Sequence, residues 1–253
     1  DSRTLKKIST GKKEDKFGLT KYNFLKIIKK YKNSKNLNLK CLSVHIGSQI
    51  TSHIPYIKML KVIESIIKKS NYNFDFIDLG GGMGIKYSEK TKKLDYKKYY
   101  IAIKNFLKKY KTKIIFEPGR SIIADCAMLL TKILYIKKTN NINFIILDAA
   151  MNDLIRPALY GAEHKIIPSI KNNKIVKKKH EFVGPICETT DKFLSVDKFQ
   201  ILKEKEILSI SDVGAYGMVL SSNYNLRAKP CEILVNKSSI KIIRKRQKLN
   251  NII

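Results

Sequence analysis

Two hydrophobic rhythms alternate along the first half of the chain. Residues 41–46, 74–79 and 113–116 are short, nearly continuous apolar runs of the kind that form buried strands. Between them the spacing lengthens to three and four. Residues 55–69 place Ile57, Leu60, Ile63 and Ile67 on one helical face, and residues 95–110 do the same with Tyr99, Ile103, Phe106 and Tyr110. Residues 19–31 predict a third amphipathic helix. Strand and helix in alternation imply parallel βα units. After about Asp125 the pattern changes. Strand-like runs at 143–147, 206–211, 232–236 and 239–244 follow one another without intervening helices, which predicts a second, mostly β domain. The expected division is residues 1–125 and 126–253.

Three chemically capable groups stand just past the predicted strands of the first half: His45, Gly80 and Glu117. Active sites of (β/α)8 barrels gather at that end of the strands. Three βα units are too few to close such a barrel, which takes about 250 residues by itself. The expected fold class is therefore α/β barrel plus β: a partial (β/α)8 TIM-type barrel followed by a mostly antiparallel β domain. A partial barrel leaves strand edges unpaired, so a further N-terminal portion is expected, as a first residue Asp1 rather than Met also suggests.

Composition removes several classes of function. At 253 residues the chain can bury one large core or two modest ones. No apolar run approaches the roughly 20 residues of a membrane helix, and no apolar leader opens the chain. The 51 Lys and Arg against 21 Asp and Glu give +30, a balance that can mark a nucleic-acid binder. The arginines, however, are only Arg3, Arg120, Arg156, Arg227, Arg244 and Arg246; the rest are lysines dispersed over several helices, which reads as solvated surface. Nucleic acid is not an expected partner. Cys41, Cys126, Cys187 and Cys231 form no Cys-x-x-Cys pair, and His45, His53, His164 and His180 have no metal-ligand spacing, so neither a disulfide framework nor a metal site is expected. A reducing, cytoplasmic setting is the default.

The motifs allow bland and chemical readings side by side. Gly80-Gly81-Gly82 after a strand is either a tight turn or a set of amides that cradle phosphate; it does not fit the dinucleotide pattern Gly-x-Gly-x-x-Gly. Glu117-Pro118-Gly119-Arg120 is either an ion pair closing a turn or a carboxylate and a planar cation aimed into a pocket. His45 is either a satisfied core histidine or a ligand group, and Cys187 either an inert buried thiol or a proton donor. Arg156 and Tyr160, four apart, share a face if Pro157 opens a helical turn.

Taken together, His45-Ile46-Gly47-Ser48-Gln49, Gly80-Gly81-Gly82, Glu117-Pro118-Gly119-Arg120, the run from Met151 through Arg156-Pro157-Ala158-Leu159-Tyr160 to Ala162, Gly184-Pro185-Ile186-Cys187-Glu188-Thr189-Thr190-Asp191 and Gly214-Ala215-Tyr216-Gly217 resemble the diaminopimelate decarboxylases. These are pyridoxal 5'-phosphate enzymes of fold type III, alike in fold to alanine racemase and ornithine decarboxylase. The resemblance runs nearly end to end. It implies decarboxylation of meso-2,6-diaminoheptanedioate to L-lysine and carbon dioxide. It also implies roles: His45 stacked on the cofactor ring; Ser48, Gly81, Gly82 and Gly119 near its phosphate; Glu117 at its ring nitrogen; Arg120, Arg156 and Tyr160 on a substrate carboxylate; Glu188 on a distal ammonium; Tyr216 facing both cofactor and substrate; and Cys187 as proton donor. Cys187 and Glu188 would serve the partner's site in a homodimer. Ornithine-type relatives carry Asp directly after this cysteine, where this chain has Glu188.

One expected part is absent. The family's cofactor lysine lies on the first barrel strand, well over a hundred residues before the position of His45. Lys104, in Tyr100-Ile101-Ala102-Ile103-Lys104, imitates its context but falls inside a predicted helix. The opening Ile8-Ser9-Thr10-Gly11 already resembles the family's middle. By itself this chain is expected to be inactive. A related decarboxylase acting on a carboxylated polyamine or basic amino acid, and a non-catalytic homologue, are the competing readings.

Overall fold

The computed structural model describes residues 16–89 and 91–252, which form two compact units meeting between Ile122 and Ile123. The opening Ile8-Ser9-Thr10-Gly11 motif lies outside the described residues. The first unit contains three parallel strands, β1 (Cys41–Ser43), β2 (Phe76–Asp78) and β3 (Lys113–Ile115), side by side in sequence order. Helix α1 (Lys21–Tyr31) precedes them, and α2 (Ile54–Ser70) and α3 (Tyr96–Leu107) make the two crossovers.

Local signals set these helices. Thr20 caps α1 by accepting from the Asn23 amide at 3.2 Å. Asp95 does the same for α3 through the Lys98 amide at 2.9 Å. Pro55 opens α2, and Asn71 ends it in the left-handed region at φ 46°. The expected faces are the buried ones except at Ile57, which stays half-buried outside the core. Leu60, Ile63 and Ile67 of α2 and Tyr99, Ile103 and Phe106 of α3 pack with Leu42, Ile77 and Leu79 of the sheet. Tyr56 and Tyr99 stack at 4.3 Å between ring centroids. Helices cover one face of the sheet; Cys41, Ser43, Lys113 and Ile115 on the other remain exposed. Parallel sheets are ordinarily covered on both faces, so this is a barrel segment with its inner face open.

A single helical turn, α4 (Arg120–Ile123), leads on. The second unit is built on a six-stranded mixed sheet ordered β6-β11-β4-β5-β8-β9. Its strands are β4 (Leu129–Lys138), β5 (Ile142–Leu147), β6 (Ile166–Pro168), β8 (Lys179–Val183), β9 (Lys192–Val196) and β11 (Ile207–Ile210). Only β5 and β8 run parallel. Strand β7 (Ile175–Val176) pairs with β10 (Phe199–Gln200), and β12 (Glu232–Asn236) forms a hairpin with β13 (Ser239–Arg244). One five-residue helix, α5 (Arg156–Tyr160), follows β5. Ile133, Ile145, Leu147, Phe182 and Leu208 fill the core.

Strand β4, the longest, carries no period-two signature in the sequence. Leu130, Leu134 and Tyr135 are exposed on the side opposite Thr131 and Ile133, so both parities are apolar and the alternation is invisible. The short strands β6, β7 and β10 escape notice because two or three residues are too few to show a period. Lys104 sits on α3 with its side chain exposed, away from the strand ends.

Candidate functional site

In the first unit the three strand ends are stitched together beyond the strands. Val44 donates its amide to the Asp78 carbonyl at 2.9 Å, Leu79 to that of Ile115 at 3.0 Å, and Glu117 to that of Gly80 at 2.9 Å. The loops after β1, β2 and β3 thus continue the parallel ladder. Asp78, 7% exposed, accepts from Ser43 Oγ at 2.9 Å and from the Gly80 amide at 2.8 Å. Gln49 clasps the loop after β2 twice, donating to the Ile85 carbonyl at 2.6 Å and accepting the Ile85 amide at 3.2 Å.

Glycine is required here by close approach. Gly82 has φ +86°, and a Cβ would fall against the carbonyl oxygen of Gly47. At Gly81 it would meet the carbonyl of Glu117. The Gly81 amide donates to His45 Nδ1 at 3.3 Å, which places the imidazole proton on Nε2 and turns the ring across the glycine loop. That leaves the Gly81 amide engaged with a side chain, so the phosphate reading of this run rests on the amides beyond it.

His45, Glu117 and Gly119 are exposed and Ser48 half-buried. Arg120 is buried at 9% exposure, donates through Nη1 to Tyr87 Oη at 2.7 Å and lies 5.7 Å from the centre of that ring. Tyr87, which the sequence reading passed over, is therefore the orienting partner of Arg120. Imidazole, carboxylate, guanidinium and glycine amides at neighbouring strand ends form a donor set that fits a phosphorylated heteroaromatic ring: a flat face, a partner for a ring nitrogen and hydrogen-bond donors for a phosphate.

In the second unit Pro157 does open a helical turn. Arg156 is 5% exposed, Tyr160 half-buried, and Gly161 caps the turn at φ 64°. Cys187 and Glu188 stand exposed in the loop between β8 and β9. This loop closes on itself, with Gly184 donating its amide to the Asp191 carbonyl at 2.9 Å and Asp191 donating to the carbonyl of Glu188 at 3.0 Å. Its anchor is the Asp191 side chain, 2% exposed, which accepts the Ile186 amide at 2.9 Å and the Met151 amide at 2.7 Å. The carboxylate occupies the place a Cβ on Gly184 would take. Burial raises the Asp191 pKa above the usual carboxylate range, against the lowering effect of the two amides and of Arg227.

Glu188 accepts from the Tyr224 hydroxyl and, at 3.1 Å, from Thr190 Oγ1. The nearby carboxylate raises the pKa of Tyr224. Arg227 ties Asn152 Oδ1 at 2.9 Å to the carbonyl of Asp148, steadying the turn before Arg156. Tyr216 adopts φ 59° and is 43% exposed. Asp191, which holds the loop, stands in the sequence as the last residue of the cysteine motif, whereas His164, which holds the arginine, is visible there only as a histidine two residues past a motif.

A groove of about 380 Å³ between α2 and α3 contains none of the expected site residues. Among the described residues no cluster of three or more His, Cys, Asp or Glu could hold a metal, and no helix is long and apolar enough to cross a membrane.

A family profile described as "Pyridoxal-dependent decarboxylase, pyridoxal binding domain" matches residues 1–124. The chain is 38% identical over 258 residues to a diaminopimelate decarboxylase of Aquifex aeolicus and 37% identical over 257 residues to that of Vibrio cholerae, covering all of this chain and 61% of each relative. A crystal structure of diaminopimelate decarboxylase from Helicobacter pylori complexed with L-lysine superposes with a TM-score of 0.90 at 36% identity, over 100% of this chain and 63% of that one. The chain thus spans about three fifths of the length of the relatives it matches.

Proposed function

We propose that this chain, similar over residues 1–124 to the pyridoxal binding domain of pyridoxal-dependent decarboxylases, serves the decarboxylation of meso-2,6-diaminoheptanedioate to L-lysine and carbon dioxide. The observation that carries the substrate reading is Arg156. A guanidinium at 5% exposure, on a turn that also bears Tyr160, is suited to a carboxylate that stays on the substrate throughout the reaction.

In this reading residues 1–125 hold the cofactor and residues 126–253 supply substrate and dimer contacts. His45, oriented by the Gly81 amide, would present its ring face to the pyridine. Glu117 would hold the ring nitrogen. Ser48, Gly82 and Gly119 would hold the phosphate, and Gly81 shapes that loop. When bound, pyridoxal phosphate supplies a conjugated sink for the electron pair released with carbon dioxide. Arg120 and Arg156 pair with the far carboxylate, Tyr160 donates to it, and Tyr216 lines the entrance. Glu188 receives the far ammonium. Cys187 Sγ gives its proton to the carbon that has lost the carboxylate and recovers one from solvent. Exposure of Cys187 and Glu188 at a loop tip suits service to the site of a second copy in a homodimer. The setting is the cytoplasm.

The test is to express the protein carrying this sequence, supply pyridoxal phosphate, and measure labelled carbon dioxide from meso-diaminopimelate and from ornithine. Release from diaminopimelate alone is expected. Release from ornithine alone gives the protein to a relative with another substrate, and bound cofactor with no release from either gives it to a non-catalytic homologue.

A further inference from the structure

The Arg156 guanidinium is hydrogen-bonded by a residue outside every recognised motif. His164 is 1% exposed; its Nε2 lies 2.8 Å from Arg156 Nη1 and its Nδ1 2.8 Å from the carbonyl oxygen of Ser211. A guanidinium has only donors, so Nε2 accepts; a carbonyl only accepts, so Nδ1 carries the proton. Both nitrogens therefore have fixed roles, and the ring is the neutral Nδ1–H tautomer.

The sheet dictates where this ring stands. Strands β6 and β11 pair from Ile166 opposite Ile210, and the Ser211 amide extends the ladder by donating to Lys165 at 2.9 Å. His164 is the next residue outward, its ring bonded to Ser211 just past the ladder. Arg156 is brought back to it by the turn that Gly161 ends, where the Gly161 amide donates to the Pro157 carbonyl at 2.9 Å. A guanidinium on a five-residue helix is thereby fastened to a six-stranded sheet.

The geometry points to His164 as a positioning residue that sets the plane of Arg156 and so selects a substrate by its far carboxylate. This rests on the reading that Arg156 grips that group. Removing carbon dioxide from one end of diaminopimelate leaves L-lysine, which keeps the far carboxylate, whereas 1,5-diaminopentane has none. The two compounds therefore separate a carboxylate-specific effect from a general loss of structure.

The experiment uses the cofactor-loaded protein carrying this sequence and two variants. His164→Phe keeps the ring and loses the acceptor; His164→Gln restores an acceptor near Nε2. For His164→Phe the expected result is a rise on the order of tenfold in KM for diaminopimelate and in the inhibition constant of L-lysine, the loss of one hydrogen bond to a charged group. The kcat should stay within about threefold, as for a contact made equally in ground and transition states. Inhibition by 1,5-diaminopentane should not change, and His164→Gln should recover most of the loss. Equal weakening of both inhibitors, a fall in kcat at constant KM, or no recovery by glutamine overturns the proposal. A separate readout needs no turnover: 15N spectra of the His164 imidazole should show a protonated Nδ1 and bare Nε2, and a protonated Nε2 in the resting protein overturns the positioning itself. Wild-type protein that releases no carbon dioxide from diaminopimelate sinks the functional reading and the selection role, while the spectra still decide the Arg156–His164 contact.

Discussion

The two units hold their chemical groups by different means. In the first, backbone holds backbone: the loops after β1, β2 and β3 are joined by carbonyl–amide bonds, and glycines let the chains approach to contact. In the second, buried side chains hold backbone and one another, through Asp191 beneath the Cys187 loop, His164 behind Arg156, and Arg227 across the turn at Asn152. The first arrangement fails by steric collision and the second by loss of polar partners, so substitutions should separate them by size and by pH.

The largest effect should come from Gly82→Ala, which adds a Cβ at φ +86° against the backbone carbonyl of Gly47 rather than against a side chain that could give way. Strain and displacement together should cost about 3–4 kcal/mol, read as a shifted denaturation midpoint. An unshifted midpoint would mean that the strand-end loops are looser than the ladder implies.

Next is Asp191→Ala, which strips partners from the Ile186 and Met151 amides. About 2–3 kcal/mol should be lost, and both amides should exchange with solvent faster. The milder Asp191→Asn tests the charge. The folded carboxyl is raised by burial, so its contribution is present below the unfolded carboxylate range and is lost as pH climbs through the folded value. As pH rises from the unfolded carboxylate range the wild type should therefore lose stability relative to the Asn variant; a gain on that rise would mean that the two amides outweigh burial.

Tyr87→Phe in the first unit removes the hydroxyl that receives Arg120 Nη1 and should cost about 1–2 kcal/mol, measured by chemical denaturation. Tyr87 joins Asp78, Gln49 and His45 as the side chains that brace the backbone bonds of this unit. The smallest effect belongs to the surface pair of Glu188 and Tyr224. The tyrosine should titrate above its ordinary range in wild type and return to it in Glu188→Gln, followed by phenolate absorbance, with no change in the denaturation midpoint.

Much of the first unit was legible because its signals are local. The spacing of Leu60, Ile63 and Ile67 names the buried face of α2, and the caps Thr20 and Asp95 sit where the helices start. Strand extents were overread: residues 41–46 paired as strand only through Ser43, since the chain after Val44 leaves the ladder to bring His45 across the glycine loop. In the second unit α5 was legible from Pro157 alone, but β4 was hidden by apolar residues on both faces, and β8 and β9 by the lysines and polar residues around them.

For the candidate site, the sequence by itself determined which groups are present and in what order, and its motifs were enough to carry the family resemblance. It also determined that α5 presents Arg156 and Tyr160 together, because a proline followed by a glycine four residues later is a local instruction. Only the tertiary structure decided what those groups touch: that the Gly81 amide turns His45, that Tyr87 holds Arg120, that Asp191 closes the cysteine loop onto Met151, and that His164 stands between Arg156 and Ser211. The reason lies in register. Periodicity and capping act over a few residues along the chain, whereas these partners meet because strand pairing aligns positions tens of residues apart, and a shift of one residue in that pairing would face each ring and carboxylate the other way.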